Sequence, residues 1–332
     1  MKKRIALIYG GAGAEREVSV MGYRNLAAYF DKEKYDLVEV QIEKNGDWYL
    51  GRSGECYPTF PIRRGGVRGL MHFGAVEQID AAFPLLHGDF GEDGCIQGAL
   101  ATAGIPFVGE GVTVGALAMD KALTKTVAEA YGIPTARGFV AAEGEEPASV
   151  IDRAERMLGY PVFVKPTSFG SSVGAGKAGN REELTLALRT AWSYAPRALV
   201  EEFIEPKREL ECSFLRTDEG DVITPPGEIG ISGVYDYKSK YKSKTKTLSV
   251  AELDEGVALR VRELAERTVS ALGLSVMARI DFFLSGDRLI LNEVNTMPGA
   301  TGESLYFRML NAAGYSTERV IDILIDRAEV RR

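Results

Sequence analysis

The sequence predicts a chain of mixed α/β and α+β class, with a parallel α/β unit at its N-terminus. Three observations predict it. The apolar run Ile5-Ala-Leu-Ile-Tyr9 breaks into Gly10-Gly11-Ala12-Gly13 and then a helical pattern, which is strand, glycine turn, helix. The pattern alternates strand and helix again before residue 104, as parallel sheets require. Near the C-terminus two apolar strands, Val276 to Leu284 and Leu289 to Val294, flank Ser285-Gly-Asp-Arg288, which is antiparallel hairpin spacing. A length of 332 residues exceeds what one core usually serves, so two or three domains are expected.

In chain order, Glu15 to Phe30 reads as a helix with Val18, Met21, Gly22, Leu26 and Tyr29 towards one side. Strands follow at Leu37 to Ile42 and Ile79 to Leu86, and between them residues 45–74 form an aperiodic excursion or hairpin rich in Gly, Arg and Pro. Cys95 to Ala103 is a helix. A longer helix spans Thr113 to Tyr131 and stops at Gly132-Ile-Pro134, with a domain boundary near 112. Next come a helix at Ala148 to Leu158, a strand at Pro161 to Lys165, a helix at Glu182 to Tyr194 and a strand at Ala198 to Phe203, a small α+β lobe. Short strands at Glu209 to Leu215, Val222 to Pro225 and Glu228 to Ile231 precede a lysine-dense segment, Tyr235 to Thr247. The helix before the hairpin carries Val257, Val261, Leu264, Thr268 and Leu272 on one face and is closed by Gly273.

Composition excludes several classes. Forty Lys and Arg against 47 Asp and Glu give a net charge of −7, leaving no basic excess for a nucleic-acid backbone. No apolar run suits a signal-peptide core or a membrane span, so a cytoplasmic protein without a membrane partner is expected. Cys56, Cys95 and Cys212 are few, odd in number and far apart, which is neither a disulfide framework nor zinc spacing.

Chemistry concentrates in a few segments. On the hairpin, Asp281 lies on one strand while Glu293 and Asn295 sit two residues apart on the next, so the three oxygen donors share a face. Such hard donors suit Mg²⁺; a salt-bridged sheet face is the alternative. Lys165-Pro-Thr-Ser-Phe-Gly-Ser-Ser-Val-Gly174 offers an ammonium and free amides to a polyphosphate, or is a linker. Gly11-x-Gly13 lacks the third glycine of a dinucleotide fingerprint, because Arg16 stands there. Glu15 is then a first-turn carboxylate or an anchor for a substrate ammonium. His87 sits where open α/β sheets place ligands, and His72 reads as structural. The lysine-dense segment is either a solvated stretch or a loop that closes over a nucleotide.

In this order the motifs resemble the D-alanine–D-alanine ligases of the ATP-grasp superfamily. They are Gly10-Gly-x-x-x-Glu15-Arg-Glu-Val-Ser19, His87-Gly-x-x-Gly-Glu-Asp-Gly94, Met119-Asp-Lys121, Lys165-Pro with Gly170-Ser-Ser-Val173, Tyr235-Asp-Tyr-x-x-Lys-Tyr241, Arg279-Ile-Asp281 and Glu293-Val-Asn-Thr-x-Pro-Gly299. The resemblance spans nearly the whole chain. It implies a three-domain ATP-grasp fold divided at 1–111, 112–203 and 204–332, with the last part holding the metal site and a mobile loop at 235–247. It implies a ligase that makes D-alanyl-D-alanine for peptidoglycan from ATP and D-alanine by way of a D-alanyl phosphate, acting as a homodimer.

The same resemblance assigns residues. Lys121, Lys165, Ser171 and Ser172 would hold ATP phosphates, with Lys240 reaching the transferring group; Glu201, Phe203 and Ile204 would form the adenine hinge and Glu209 would bind ribose. Asp281, Glu293 and Asn295 would ligate two Mg²⁺, or Mn²⁺. Glu15 would hold the first D-alanine ammonium, with Val18 and His87 nearby; Arg279 and the Gly299 amide would form an oxyanion site; Ser304, Leu305 and Tyr241 would border the second D-alanine. Positions 168, 169 and 202, here Ser, Phe and Glu, and the stretch from Gly299 to Ser304 depart from the family pattern. Other acceptors, such as D-serine or D-lactate, are the alternative within enzymes, and a nucleotide-binding regulator is the alternative outside them.

Overall fold

The computed structural model describes residues 2–52, 55–170, 172–205, 207–230, 246–302 and 304–331. Strand β1 (Lys3–Gly10) pairs in parallel with β2 (Tyr35–Ile42) on one side and β7 (Ala81–Pro84) on the other. Both faces of β1 are buried, which is why it reads as an unbroken apolar run. Ile5, Leu7 and Tyr9 face one core and Ala6 and Ile8 the other. The segment expected as a hairpin or excursion is four antiparallel strands, β3 (Trp48–Arg52), β4 (Glu55–Arg64), β5 (Val67–His72) and β6 (Ala75–Gln78), which extend the sheet in the order β6-β5-β4-β3-β2-β1-β7. The sheet is therefore parallel at its centre and antiparallel along one flank.

Helix α1 (Arg16–Leu26) covers one face of β1, burying Val18, Ser19, Gly22 and Leu26. Met21 and Tyr29, expected on that face, are exposed: Met21 borders a cavity, and at Tyr29 the helix has tightened into a 3₁₀ turn, Ala27–Tyr29. Helix α2 (Cys95–Thr102) covers the other face through Ile96 and Leu100.

The expected single helix from Thr113 to Tyr131 is two. Helix α3 (Val112–Met119) ends at Asp120, whose backbone is extended and whose Oδ1 accepts from the amides of Ala122 and Leu123, both at 3.0 Å. This N-cap starts α4 (Lys121–Ala130) on a new axis and sets Lys121 at its first turn.

A four-stranded antiparallel sheet follows in the order β10-β9-β11-β8, from β8 (Gly138–Ala142), β9 (Val162–Pro166), β10 (Gly176–Ala178) and β11 (Arg197–Glu202). Helices α5 (Pro147–Met157) and α6 (Arg181–Trp192) bury Val162, Val164, Ala198 and Val200 on one face. Period two then aims Phe163, Lys165 and Glu201 from the opposite face.

The third sheet runs β15-β14-β12-β16-β17, with β13 (Gly220–Ile223) beside β12. Its strands are β12 (Arg208–Thr217), β14 (Gly227–Gly230), β15 (Lys246–Leu248), β16 (Met277–Ser285) and β17 (Arg288–Asn295). Helix α7 (Glu255–Leu272), closed by Gly273 at φ 69°, packs Val261, Leu264, Ala265 and Thr268 towards Leu210, Cys212, Phe214, Ile280 and Phe282. The final helices, α8 (Leu305–Ala312) and α9 (Thr317–Asp326), return to the first sheet: Tyr306, Phe307, Val320 and Leu324 share a core with Ile5, Leu7 and Phe30. No helix among the described residues is long and apolar enough to cross a membrane.

Candidate active site

The face of the third sheet turned away from α7 carries the polar cluster. Register pairs Asp281 with Glu293, Arg279 with Asn295 and, across β12, Glu211 with Asp281. The pairing then shifts, so that Phe282 faces Leu291 and Asn292 is an extra residue in β17. This bulge turns Asn292 towards the cavity beside Glu293, whereas strict alternation would put one of the two in the core. Arg279 donates to both oxygens of Asp281, at 2.8 and 2.7 Å, and lies 3.2 Å from Glu211. These carboxylates hold the guanidinium charged despite its burial. Asn295 donates to Asp281 at 3.1 Å.

Opposite this face stands the free face of the four-stranded sheet. Between them Lys165, Ser172, Glu201, Phe203, Ile204, Glu209 and Asp281 line a cavity of about 460 Å³. The Glu201 side chain is buried against Lys125 and Lys165, and the two ammoniums hold its carboxyl down to about 2. Its side chain is thus a lysine counter-ion, and only its backbone is left for the hinge role that the resemblance implies. Glu209 lies 3.0 Å from Lys207, and Lys177 sits over the Phe203 ring at 4.1 Å. Glu202 is clamped by Arg137 and Arg288 at the surface, which likewise holds it at about 2.

A second cavity, of about 470 Å³, is lined by Glu15, Val18, His87, Arg279, Asn295, Gly299, Ser304 and Leu305. The turn after β1 places Glu15. Gly10 needs φ 97°, and any side chain there would run into the Ile42 carbonyl. Ser19 then locks the turn, accepting from the Gly10 amide at 2.8 Å and donating to the Leu85 carbonyl at 2.6 Å. His87 is buried; its Nδ1 meets the Met297 carbonyl at 3.1 Å, Nε2 makes no hydrogen bond among the described residues, and burial lowers its basicity.

The Glu15 carboxylate is packed against two bare glycines. A Cβ on Gly88 would stand 2.6 Å from Glu15 Oε2, and one on Gly170 would collide with the same oxygen. Gly170→Ala should therefore displace Glu15 and, under the role that the resemblance implies for it, raise KM for the first amino-acid substrate at least tenfold while leaving ATP binding within about twofold. Equal changes in both, measured by steady-state kinetics, would show that the loop as a whole had moved.

Lys121 and Glu293 border both cavities, 3.7 Å apart, with Lys121 Nζ donating to the Phe169 carbonyl at 2.8 Å. Three of the expected residues, Ser171, Lys240 and Tyr241, lie outside the described residues. The rest are brought to one or the other cavity. Reading by motif did not single out Glu211, Asn292 or Lys125, and it gave Glu92 no role although the residue stands in the motif that begins at His87. Glu211 was within reach, because Glu209, Glu211 and Ser213 alternate along one strand face; Asn292 was not, because a bulge leaves no mark in the hydrophobic pattern.

Glu92 accepts from the Gly88 and Met297 amides, and burial together with the neighbouring Glu15 charge raises its carboxyl to about 7 from an ordinary 4.5. The folded protein thus binds this proton more tightly than the unfolded chain. The resulting stabilisation is complete below about pH 4.5 and is lost as pH rises through about 7. Across that window, parent stability relative to Glu92→Gln should fall by about 3 kcal/mol in denaturant titrations. A difference that does not vary with pH would contradict it.

Two family models match the chain: residues 4–110 match D-ala D-ala ligase N-terminus and residues 127–326 match D-ala D-ala ligase C-terminus. A D-alanine–D-alanine ligase of Deinococcus radiodurans is 40% identical over 99% of both chains, and D-alanine–D-alanine ligase A of Mesorhizobium japonicum is 36% identical over 99% of this chain and 98% of its own. Among solved structures, the D-alanine–D-alanine ligase of Coxiella burnetii has a TM-score of 0.87 at 30% identity, covering 98% of this chain and 93% of that one. The D-Ala:D-Ser ligase VanG of Enterococcus faecalis has a TM-score of 0.89 at 32% identity, covering 98% and 99%. With both halves matched by the family's models and full-length relatives at this identity, the chain belongs to the D-alanine–D-alanine ligase family of ATP-grasp ligases.

Proposed function

We propose that the protein joins two D-alanines into D-alanyl-D-alanine for peptidoglycan synthesis, with ATP converted to ADP and phosphate. The observation that carries this reading is the shared wall of the two cavities. A nucleotide beside Lys165 and an amino acid beside Glu15 would meet at Lys121, Glu211 and Glu293. The γ-phosphoryl group passes to the carboxylate of the first D-alanine, giving an acyl phosphate and ADP. The amine of the second D-alanine, having lost a proton, attacks the carbonyl carbon, and the collapsing tetrahedral intermediate expels phosphate.

In this scheme Lys121, Lys165, Ser171 and Ser172 bind and orient the phosphates, Phe203 and Ile204 bracket the base beside the Glu201 backbone, and Glu209 takes the ribose. Glu15 and Val18, with His87 behind them, hold the first substrate through its ammonium. Arg279 and the Gly299 amide face the developing oxyanion, and Ser304 and Leu305 border the second substrate. Lys240 and Tyr241, outside the described residues, complete the set by resemblance. The donor set of Asp281, Glu293 and Asn295 fits Mg²⁺ or Mn²⁺: two carboxylates and an amide oxygen on adjacent strands of one sheet face, with Asp281 and Glu293 bordering the nucleotide cavity and Glu293 and Asn295 the second one. Two such ions, when bound, would supply charge neutralisation at the transferring phosphoryl group.

The reading also takes the chain to work as a cytoplasmic homodimer, divided at 1–111, 112–203 and 204–332, which light scattering and limited proteolysis test. The central test is ADP formation with product mass over a panel of D-amino and D-hydroxy acids. Turnover that depends on D-alanine and yields D-alanyl-D-alanine is expected. The similarity to VanG makes D-serine the first rival acceptor to include, and a dominant D-alanyl-D-serine product would replace the second substrate while leaving the rest.

A further inference from the structure

One helical turn beyond Lys121 on α4 lies Lys125, a residue that borders neither cavity. It is 5% exposed and ion-paired with Glu201, itself 3% exposed. The other oxygen of Glu201 lies 2.7 Å from Lys165 Nζ, to which Asn292 Oδ1 adds a contact at 3.3 Å. Three buried charges therefore stand in the order plus, minus, plus. Burying charges is costly unless each is answered, so the arrangement needs a reason beyond packing.

Charge balance supplies it. Without Lys125, Glu201 and Lys165 would form a closed neutral pair, and a polyphosphate would have to compete with a buried carboxylate for the Lys165 ammonium. With Lys125 present, the carboxylate is already neutralised and the cluster keeps one net positive charge, on the lysine that faces the cavity. The two partners of Lys165, Glu201 on β11 and Asn292 on β17, fix its direction from both walls. Lys125 comes from a third element, α4, which begins at Lys121, so one helix serves two of the lysines that border the nucleotide cavity, Lys121 and Lys165.

We propose that Lys125 is a positioning residue for nucleotide binding: its ion pair with Glu201 keeps the charge of Lys165 available to the polyphosphate. The inference rests on the proposed role of Lys165 in holding phosphate. It predicts a defect that depends on the phosphates of the ligand and not on its base or on the amino-acid site.

The test measures dissociation constants of ATP and adenosine by calorimetry, with Mg²⁺ present, for Lys125→Met, Lys125→Gln, Lys165→Met and the double variant Lys125→Met/Glu201→Gln. Denaturant titration checks that each variant is folded. Lys125→Met should weaken ATP at least tenfold with adenosine and the KM of D-alanine within twofold. Lys125→Gln, which keeps a hydrogen-bond donor but no charge, should behave alike and carries the test alone if the methionine variant does not fold. Adding Glu201→Gln to Lys125→Met should recover ATP affinity at least threefold, since the competing carboxylate is gone. Equal losses for ATP and adenosine, no loss of ATP, or a double variant no better than the single overturns the proposal. If Lys165→Met fails to distinguish ATP from adenosine, the phosphate role of Lys165 falls first. If it does distinguish them and the Lys125 variants do not, only this inference falls.

Discussion

Replacing Arg279 with methionine should destabilise the protein by about 3–5 kcal/mol at neutral pH and abolish ligation. The guanidinium is enclosed between Asp281, which it engages through two hydrogen bonds, and Glu211, which is 2% exposed. Removing one partner of a buried ion pair leaves uncompensated charge, and that penalty exceeds the loss of the contact itself. Here two carboxylates paired across β12 and β16 would be left facing each other. Under the proposed oxyanion role of Arg279, its loss adds a factor on the order of 10²–10³ in activity. Denaturant unfolding of parent and variant at neutral pH checks the first claim. A variant within about 1 kcal/mol of the parent would show that Glu211 and Asp281 are held by other means.

Glu293→Gln is expected to act in the opposite way, sparing the fold and removing the chemistry. The substitution keeps side-chain volume, and Glu293 is a partly exposed residue at the cavity rim, so stability should stay within about 1 kcal/mol. A carboxylate that ligates a divalent cation contributes charge that an amide cannot replace, so turnover at fixed Mg²⁺ should fall by at least about 10²-fold. Lys121, 3.7 Å away, would lose its carboxylate neighbour at the same time, which should weaken its aim at the phosphates. Metal binding gives a readout independent of turnover: Mn²⁺ titration by electron paramagnetic resonance, with ATP present, should show lower affinity in the variant. Near-normal turnover at the same Mg²⁺ concentration would remove Glu293 from the metal site.

What the sequence by itself determined was set by short-range periodicity and by residue types at fixed spacing. Strands β2, β9, β11, β16 and β17 and helix α7 were legible because each buries a repeating face, and β1 because burial on both faces makes an unbroken apolar run, patterns that a window of ten or so residues records. Period two made the pair Glu293 and Asn295 legible as one face of β17, but their meeting with Asp281 depends on the bulge, since unbroken register would pair Asp281 with Asn292. The Asp120 break was legible in principle, since Asp is a favoured N-cap, but the apolar pattern runs through it from α3 to α4 and hid the change of axis.

Only the tertiary structure decided the rest, because the deciding contacts join residues far apart in the chain. Helices α8 and α9 share a core with the first sheet some 300 residues after it begins, and Glu110 ties that first unit to the start of β16 by accepting from the amides of Ser275, Val276 and Met277. No local window contains such a pairing. The bulge at Asn292 depends on register with β16, and a register is a property of two strands. The same holds for charge. Lys125, Lys165, Glu201 and Asn292 carry no common motif, yet desolvation forces buried charges to find one another wherever the fold brings them within reach, and that reach is set by the packing of α4, β9, β11 and β17.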